Sequence, residues 1–159
     1  MKRFAWILSS LLLLTCCACV YDAPLVQEAI LPIDPALEGT WYELIKDSRD
    51  IDPDEKIVIT RFSATEQVVI LSSREILRAY PIQIQDLNLM QLEWLTPKEK
   101  RFNVVRYAIQ DGILTVEQLN LNIASNQIPD SVTLREALAV NRTNSDLFRK
   151  LGSYRQVVK

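Results

Sequence analysis

The chain has 159 residues, 48% hydrophobic and 24% charged, with a formal net charge of −2 and no histidine. That length holds one domain with a real core and not two comfortable ones. Without histidine no Ser-His-Asp or Cys-His machinery can be built and the usual zinc ligand is missing, the lack of a long basic run excludes a nucleic-acid footprint, and only Gly39, Gly112 and Gly152 are present, too few for a glycine-rich phosphate loop.

The chain opens with a positive start, Lys2 and Arg3. An apolar run of eleven residues follows, Phe4 to Leu14, interrupted only by Ser9 and Ser10. Small residues and cysteines come next. This is the layout of a secretory signal peptide. The run is too short to span a bilayer as a stable helix, which needs about 20 residues. Residues 1–16 are therefore read as an address and left out of the fold. Loss of Lys2 and Arg3 takes the net charge to about −4.

All three cysteines, Cys16, Cys17 and Cys19, lie just behind that run. A disulfide between near-adjacent cysteines closes almost no loop and stabilises little. A metal site would need further Cys or His ligands, and the chain has none. Neither a metal nor any other cofactor is expected.

Leu14-Thr15-Cys16-Cys17 resembles the end of a bacterial lipoprotein signal, in which a leucine and two smaller residues precede the cysteine that receives lipid. Cys17 is the preferred acceptor. Cys19, preceded by Ala18, is the second choice; Leu13-Leu14-Thr15-Cys16 is a third frame. The resemblance implies cleavage, acylation with palmitate-type chains and a membrane partner reached through the lipid. More than one acyl chain is needed for stable anchoring, which such an N-terminus supplies. Ala18 follows Cys17 and Val20 follows Cys19, where an Asp would imply inner-membrane retention. The implied address is the outer membrane, facing the periplasm.

Residues 17–37 carry Pro24, Pro32 and Pro35 and no glycine, the composition of an extended tether. Fully stretched, Val20 to Leu37 reaches at most about 60 Å. Leu25, Val26, Ile30 and Leu31 give it apolar residues able to dock on the domain.

Residues 38–159 read as one mainly β domain. Thr40 to Ile45, Lys56 to Phe62 and Gln67 to Leu71 are rich in β-branched and aromatic residues and bounded by polar turns. Glu75 to Gln85 alternates, with Ile76, Arg78, Tyr80, Ile82 and Ile84 on one face. Pro81 marks an edge or a bend. Leu87 to Leu95 alternates again. Arg101 to Gln110 and Ile113 to Ile123 flank Asp111-Gly112, the strongest hairpin signal in the chain. Asp130 or Ser131 then caps a helix over Val132 to Val140. Asn144 precedes a shorter helix, Leu147 to Leu151, ended by Gly152, and a last strand starts at Tyr154. About eight strands at this spacing predict a small antiparallel barrel, with one or two short helices before the last strand. Closure pairs the last strand with the first and removes both edges.

Gly39-Thr40-Trp41, opening the first strand after a proline-containing lead, resembles the G-x-W of lipocalins and related calycin barrels. The resemblance implies that Trp41 plugs the closed end and that an arginine of the last strand, Arg155, packs over it. A cation over an indole contributes about 0.5–2 kcal/mol. The helices ahead of the last strand depart from the usual lipocalin order.

Other candidates are weaker. Asp50, Asp52 and Asp54 have calcium-loop spacing, but Glu55 replaces the required glycine and Arg61 the bidentate glutamate, so a solvated acidic loop is expected. Glu75, Asp86 and Glu93 offer carboxylates, but one sequence places no pair at catalytic separation. Tyr80, Met90, Trp94 and Tyr107 are a candidate apolar pocket, or filler for a small barrel. Arg74, Arg78, Lys98, Lys100, Arg101 and Arg106 cluster in the middle strands and their loops. The expectation is a non-catalytic binding or accessory module for an apolar ligand or an envelope component. The rivals are a scaffold subunit bound to an envelope protein partner, with no small ligand, and a carboxylate-based hydrolase. An open cavity lined by Met90 and Trp94 favours the first, a filled barrel the second, and two facing carboxylates the third.

Overall fold

The computed structural model describes residues 21–46, 48–95, 101–124 and 130–157. The expectations for Cys17, Cys19, Lys98 and Lys100 lie outside the described residues. Eight antiparallel strands close into a barrel in chain order. They are β1 (Gly39–Leu44), β2 (Ile51–Arg61), β3 (Gln67–Leu71), β4 (Ile76–Ile84), β5 (Leu87–Trp94), β6 (Phe102–Gln110), β7 (Ile113–Leu119) and β8 (Phe148–Gln156). β8 pairs with β1, so the sheet has no free edge. The single α-helix among the described residues, α1 (Ser131–Asn141), precedes β8. This is the small antiparallel barrel that the spacing of the strands predicts, and its eight strands closed in chain order are consistent with the lipocalin-like fold that the resemblance implies.

Local chemistry accounts for most boundaries. Asp111 and Gly112 have φ of 52° and 73°, the left-handed pair that a two-residue hairpin between twisted strands requires. Asp130 caps α1: its Oδ1 accepts from the Thr133 amide at 2.8 Å and its Oδ2 from the Thr133 hydroxyl at 3.1 Å. Pro81 pairs with Met90 on the β5 side but lies past the last β3 partner, Gln67 opposite Ala79. Its missing N–H therefore costs no ladder bond.

Two expectations are corrected. Ile51 to Glu55 is not a loop but the first half of β2, joined to β1 across a bulge between Tyr42 and Leu44. Asp52 and Pro53 are tolerated there because β3 pairs only with Ile57 to Arg61. Phe148 to Leu151 is not a helix either. Only Ser145–Leu147 forms a 3-10 turn, and β8 starts at Phe148. Leu147, Phe148 and Leu151 have helical spacing, but a bulge beside Val116 and Glu117 resets the alternation of β8.

Two cores form, one on each side of the barrel wall. Inside lie Trp41, Ile59, Val69, Leu77, Met90, Val105 and Leu114, with Leu37. Outside, Tyr80, Ile82, Leu89, Phe102, Val104 and Leu119 pack under Leu134 and Leu138 of α1 and under Tyr21 and Leu25. Strands β4 to β6 are thus apolar on both faces and need cover on each.

Residues 21–37 supply part of that cover and are a docked strap rather than a free tether. Tyr21 and Phe102 exchange backbone hydrogen bonds of 2.7 and 2.8 Å. Arg135 Nε donates to Leu25 O at 2.8 Å. Of the four apolar residues expected to dock, Leu25 is fully buried, Val26 and Leu31 are half-buried, and Ile30 points to water. Ile33 N donates to Ala64 O at 3.1 Å, and the 3-10 turn Pro35–Leu37, capped by Asp34, leads into β1.

The strap is clamped at its centre. Gln91, 0% exposed, accepts from Val26 N at 3.0 Å through Oε1 and donates to Val26 O at 3.1 Å through Nε2. Tyr80 OH also donates to Val26 O, at 2.9 Å, and accepts from Gln91 Nε2. One carboxamide therefore serves the strap's backbone as a neighbouring strand would. Gln91→Leu leaves the Val26 amide without its acceptor and is expected to cost about 1–3 kcal/mol. Tyr80→Phe leaves Gln91 in place and is expected to cost about 1 kcal/mol. Urea denaturation measures both, and loss of amide-exchange protection at Val26 in Gln91→Leu locates the damage in the strap.

Candidate functional site

The pairings sort the residues to two ends of the barrel. Gly39, Arg61, Gln67, Gln110 and Gln156 lie at one end; Leu44, Leu71, Ile76, Trp94, Phe102 and Phe148 lie at the other. The first end is closed. Trp41 is 1% exposed, packs with Leu37 and Ile59, and donates from Nε1 to Leu37 O at 2.8 Å. Gly39 has φ +138°, and a Cβ there would lie 2.2 Å from Gln156 Nε2. That amide donates instead to Glu38 O at 2.9 Å and ties β8 across the floor.

Arg155 does not pack over Trp41. In β8 the residue opposite Trp41 is Gln156, while Arg155 stands opposite Tyr42 on the outer face. Its guanidinium donates to Arg49 O at 2.9 Å. Partners directly across an antiparallel pair share a face, so a shift of one residue moves the side chain to the other side of the wall.

Between the two ends the barrel is hollow. A cavity of about 530 Å³ is walled by Val69, Leu77, Met90, Leu92, Trp94 and Val105, among others. Of the candidate pocket residues, Met90, Trp94 and Tyr107 line it. Tyr80 does not. It lies on the outer face in the clamp beneath the strap, with Arg78 over its ring at 4.9 Å. The inward residues of β4 are Leu77 and Ala79, the alternate set to the one the alternation suggested. Sequence reading also missed Ile57, Leu71, Leu92 and Leu114 as lining residues. Their only signal was period-two apolarity, which many outward residues here share.

Polar groups are confined to the floor and the mouth. At the floor Tyr107 OH donates to Asp34 Oδ2 at 3.3 Å, and Gln67 Nε2 to Asp34 O at 3.4 Å. At the mouth Glu75, Arg101, Asn103 and Gln118 ring the opening. Glu75 Oε1 accepts from Trp94 Nε1 at 3.2 Å, which fixes the indole on the wall. The three carboxylates considered for catalysis do not converge. Glu75 is at the mouth, Glu93 is on the outer wall paired with Arg78 at 3.1 Å, and Asp86 lies 3.8 Å from Arg142 beyond the closed end. Of the middle-strand basic residues, Arg78 is further committed to Glu66 at 2.5 Å and Arg106 to Glu117 at 2.6 Å. Arg74 and Arg101 are exposed at the mouth end. Among the described residues, no group of three or more acidic or cysteine side chains is placed to hold a metal ion.

No protein-family model matches the chain, nor does any curated protein or any solved structure.

Two cavity tyrosines are held as phenols. Burial, then the negative charge of Asp34, then the hydrogen bond to it, push Tyr107 up to about 12. Burial, then Glu43 and Glu55, push Tyr154 up to about 12. An unfolded chain ionises its tyrosines near 10, so above that pH it binds fewer protons than the fold and stability falls. The contribution of these phenols is complete below pH of about 10 and is lost as pH rises through about 12. In urea titrations across that window, Tyr107→Phe and Tyr154→Phe should each flatten the alkaline decline in stability. An unchanged slope in both would show that neither phenol is held.

Proposed function

We propose that this chain is an envelope lipoprotein, anchored through a lipid on Cys17 at the periplasmic face of the outer membrane, whose barrel binds an apolar ligand of the acyl-chain class without catalysing a reaction on it. The observation that carries the reading is the cavity. It is about 530 Å³, apolar along its walls, closed at the Trp41 floor and open at the Trp94 mouth. Ligand sites run from about 300 to 1,000 Å³ and are mostly apolar, with a few placed polar groups. A scaffold without a ligand needs no such hollow, because a small barrel is ordinarily filled by its own side chains. The scattered carboxylates argue against a hydrolase.

Magnitudes support an acyl chain. Burying ten methylenes contributes about 8 kcal/mol before the cost of association. A dissociation constant of about 1 μM corresponds to about −8.2 kcal/mol. The costs of immobilising the chain bring the expected affinity to the micromolar range or weaker. The polar mouth suits a ligand whose head stays in water while its tail enters.

Titration of a fluorescent long-chain fatty acid should show saturable, one-to-one, micromolar binding. Leu92→Trp fills the space over Ala79, its neighbour across the β4–β5 pair, and should weaken binding at least tenfold. Its overpacking cost to the fold is held to about 1–3 kcal/mol. No saturable binding by the wild type would return the reading to an envelope scaffold. Palmitate labelling tests the anchor: the wild type should label and Cys17→Ser should not. Unchanged labelling in Cys17→Ser would exclude Cys17 and leave Cys19, the second choice, or Cys16.

A further inference from the structure

The strap has a direction, and that direction decides how an anchored barrel meets its membrane. Tyr21 is tied to Phe102, the first residue of β6, at the mouth end. From there the strap runs along the outer wall to Ala64 and Leu37 at the closed end. Only Ala18, Cys19 and Val20 stand between Cys17 and Tyr21. That leash spans at most about 14 Å, against about 30 Å for a nine-residue strand. A lipid on Cys19 would shorten it further. The anchor therefore holds the mouth end near the bilayer and the closed end away from it.

The surface at that end is uneven in a way that fits. On the rim formed by β4 and β5, at the same end of the barrel, Ile76 and Leu95 are 45% and 52% exposed. Arg74 and Arg101 are exposed next to them. Across the barrel the lip formed by β1 and β2 is net negative, with Asp50, Asp54 and Glu55 exposed and Asp52 half-buried, as against exposed Lys46, Arg49 and Lys56. Apolar side chains flanked by cations suit a surface of anionic lipid, and the acidic lip is repelled from it. Exposure alone does not choose the end, since Phe62 at the closed end is 72% exposed. The leash does.

We propose that the β4–β5 rim of the mouth docks on the lipid bilayer, so that the cavity opens toward the membrane surface and takes its acyl ligand directly from it. The proposal rests on the anchored, ligand-binding reading above and adds where the ligand comes from. The acidic lip is lifted from the headgroups, which leaves the mouth tilted rather than sealed.

The test uses the lipidated full chain reconstituted in phosphatidylethanolamine–phosphatidylglycerol vesicles carrying bromine on their acyl chains. After cleavage the chain holds only Trp41 and Trp94. Trp94→Phe leaves Trp41, buried at the floor, as a constant background. Leu95→Trp, Ile45→Trp and Phe62→Trp are then added one at a time, to report the docking rim, the acidic side and the closed end. None of the three lines the cavity, so a brominated lipid inside the barrel does not imitate docking. Bromine should quench Leu95→Trp at least twofold more than either of the others. Equal quenching of all three, stronger quenching of Phe62→Trp or Ile45→Trp, or no quenching of any overturns the orientation. Flotation separates the causes. A chain that fails to float with the vesicles brings down the anchor and the proposal together. If the wild type floats and binds the fatty-acid probe, but the variants float with no preference for Leu95→Trp, the orientation is lost and the ligand is kept.

Discussion

The structure depends on a wall that is apolar on both sides. Strands β4 to β6 bury Leu77, Met90 and Val105 inward and Tyr80, Leu89 and Val104 outward. A closed antiparallel barrel of this size can hide only one face by itself. The outer face must be covered by chain that is not in the sheet, and two segments do it: α1 through Leu134 and Leu138, and the strap through Tyr21 and Leu25. Each buried leucine contributes about 1.5–3 kcal/mol. The strap has no regular ladder to satisfy its backbone, so Gln91 and Tyr80 serve Val26 in place of a neighbouring strand. A buried polar pair is retained here because the alternative is an unpaired amide under the strap.

Covering the outside frees the inside. The outer core carries much of the apolar burial, so the interior need not be filled to hold the fold. Large side chains gather at the floor, where Trp41, Leu37 and Ile59 pack together. Above the floor the inward Val69, Leu77, Met90 and Val105 line the cavity and leave it open. The result is a cup, with Asp34 and Tyr107 at the base and Glu75 and Arg101 at the lip. Floor, wall and lip differ in polarity as the two ends of an amphipathic ligand differ.

The strap joins these two consequences. It covers the outer core, and it also holds its first described residue, Tyr21, at one point of the wall. Because that point is at Phe102, beside the mouth, a structural requirement of the wall becomes a positional statement about the opening. Packing on one face of β6 thus bears on what can reach the other.

The sequence by itself determined the local features. The proposed address rests on the short apolar run behind Lys2 and Arg3 and on the clustered cysteines, as sequence alone. Asp111-Gly112, Asp130 ahead of α1 and the spacing of the strands gave the hairpin, the cap and the barrel, because each is set by dihedral preference or by period over a few residues. What the tertiary structure decided was which face looks inward. Where a strand is apolar on both faces, period two separates two sets of side chains but does not say which set meets the cavity, and so Tyr80 was placed inside and Leu77 and Ala79 were not. The register of β8 against β1 then put Gln156, and not Arg155, opposite Trp41 at the floor. The strap was hidden for the same reason: its stability comes from Gln91 and Tyr80, 65 and 54 residues away from Val26. Contacts at that separation leave no local pattern, since nothing in the short-range preferences of the chain depends on them.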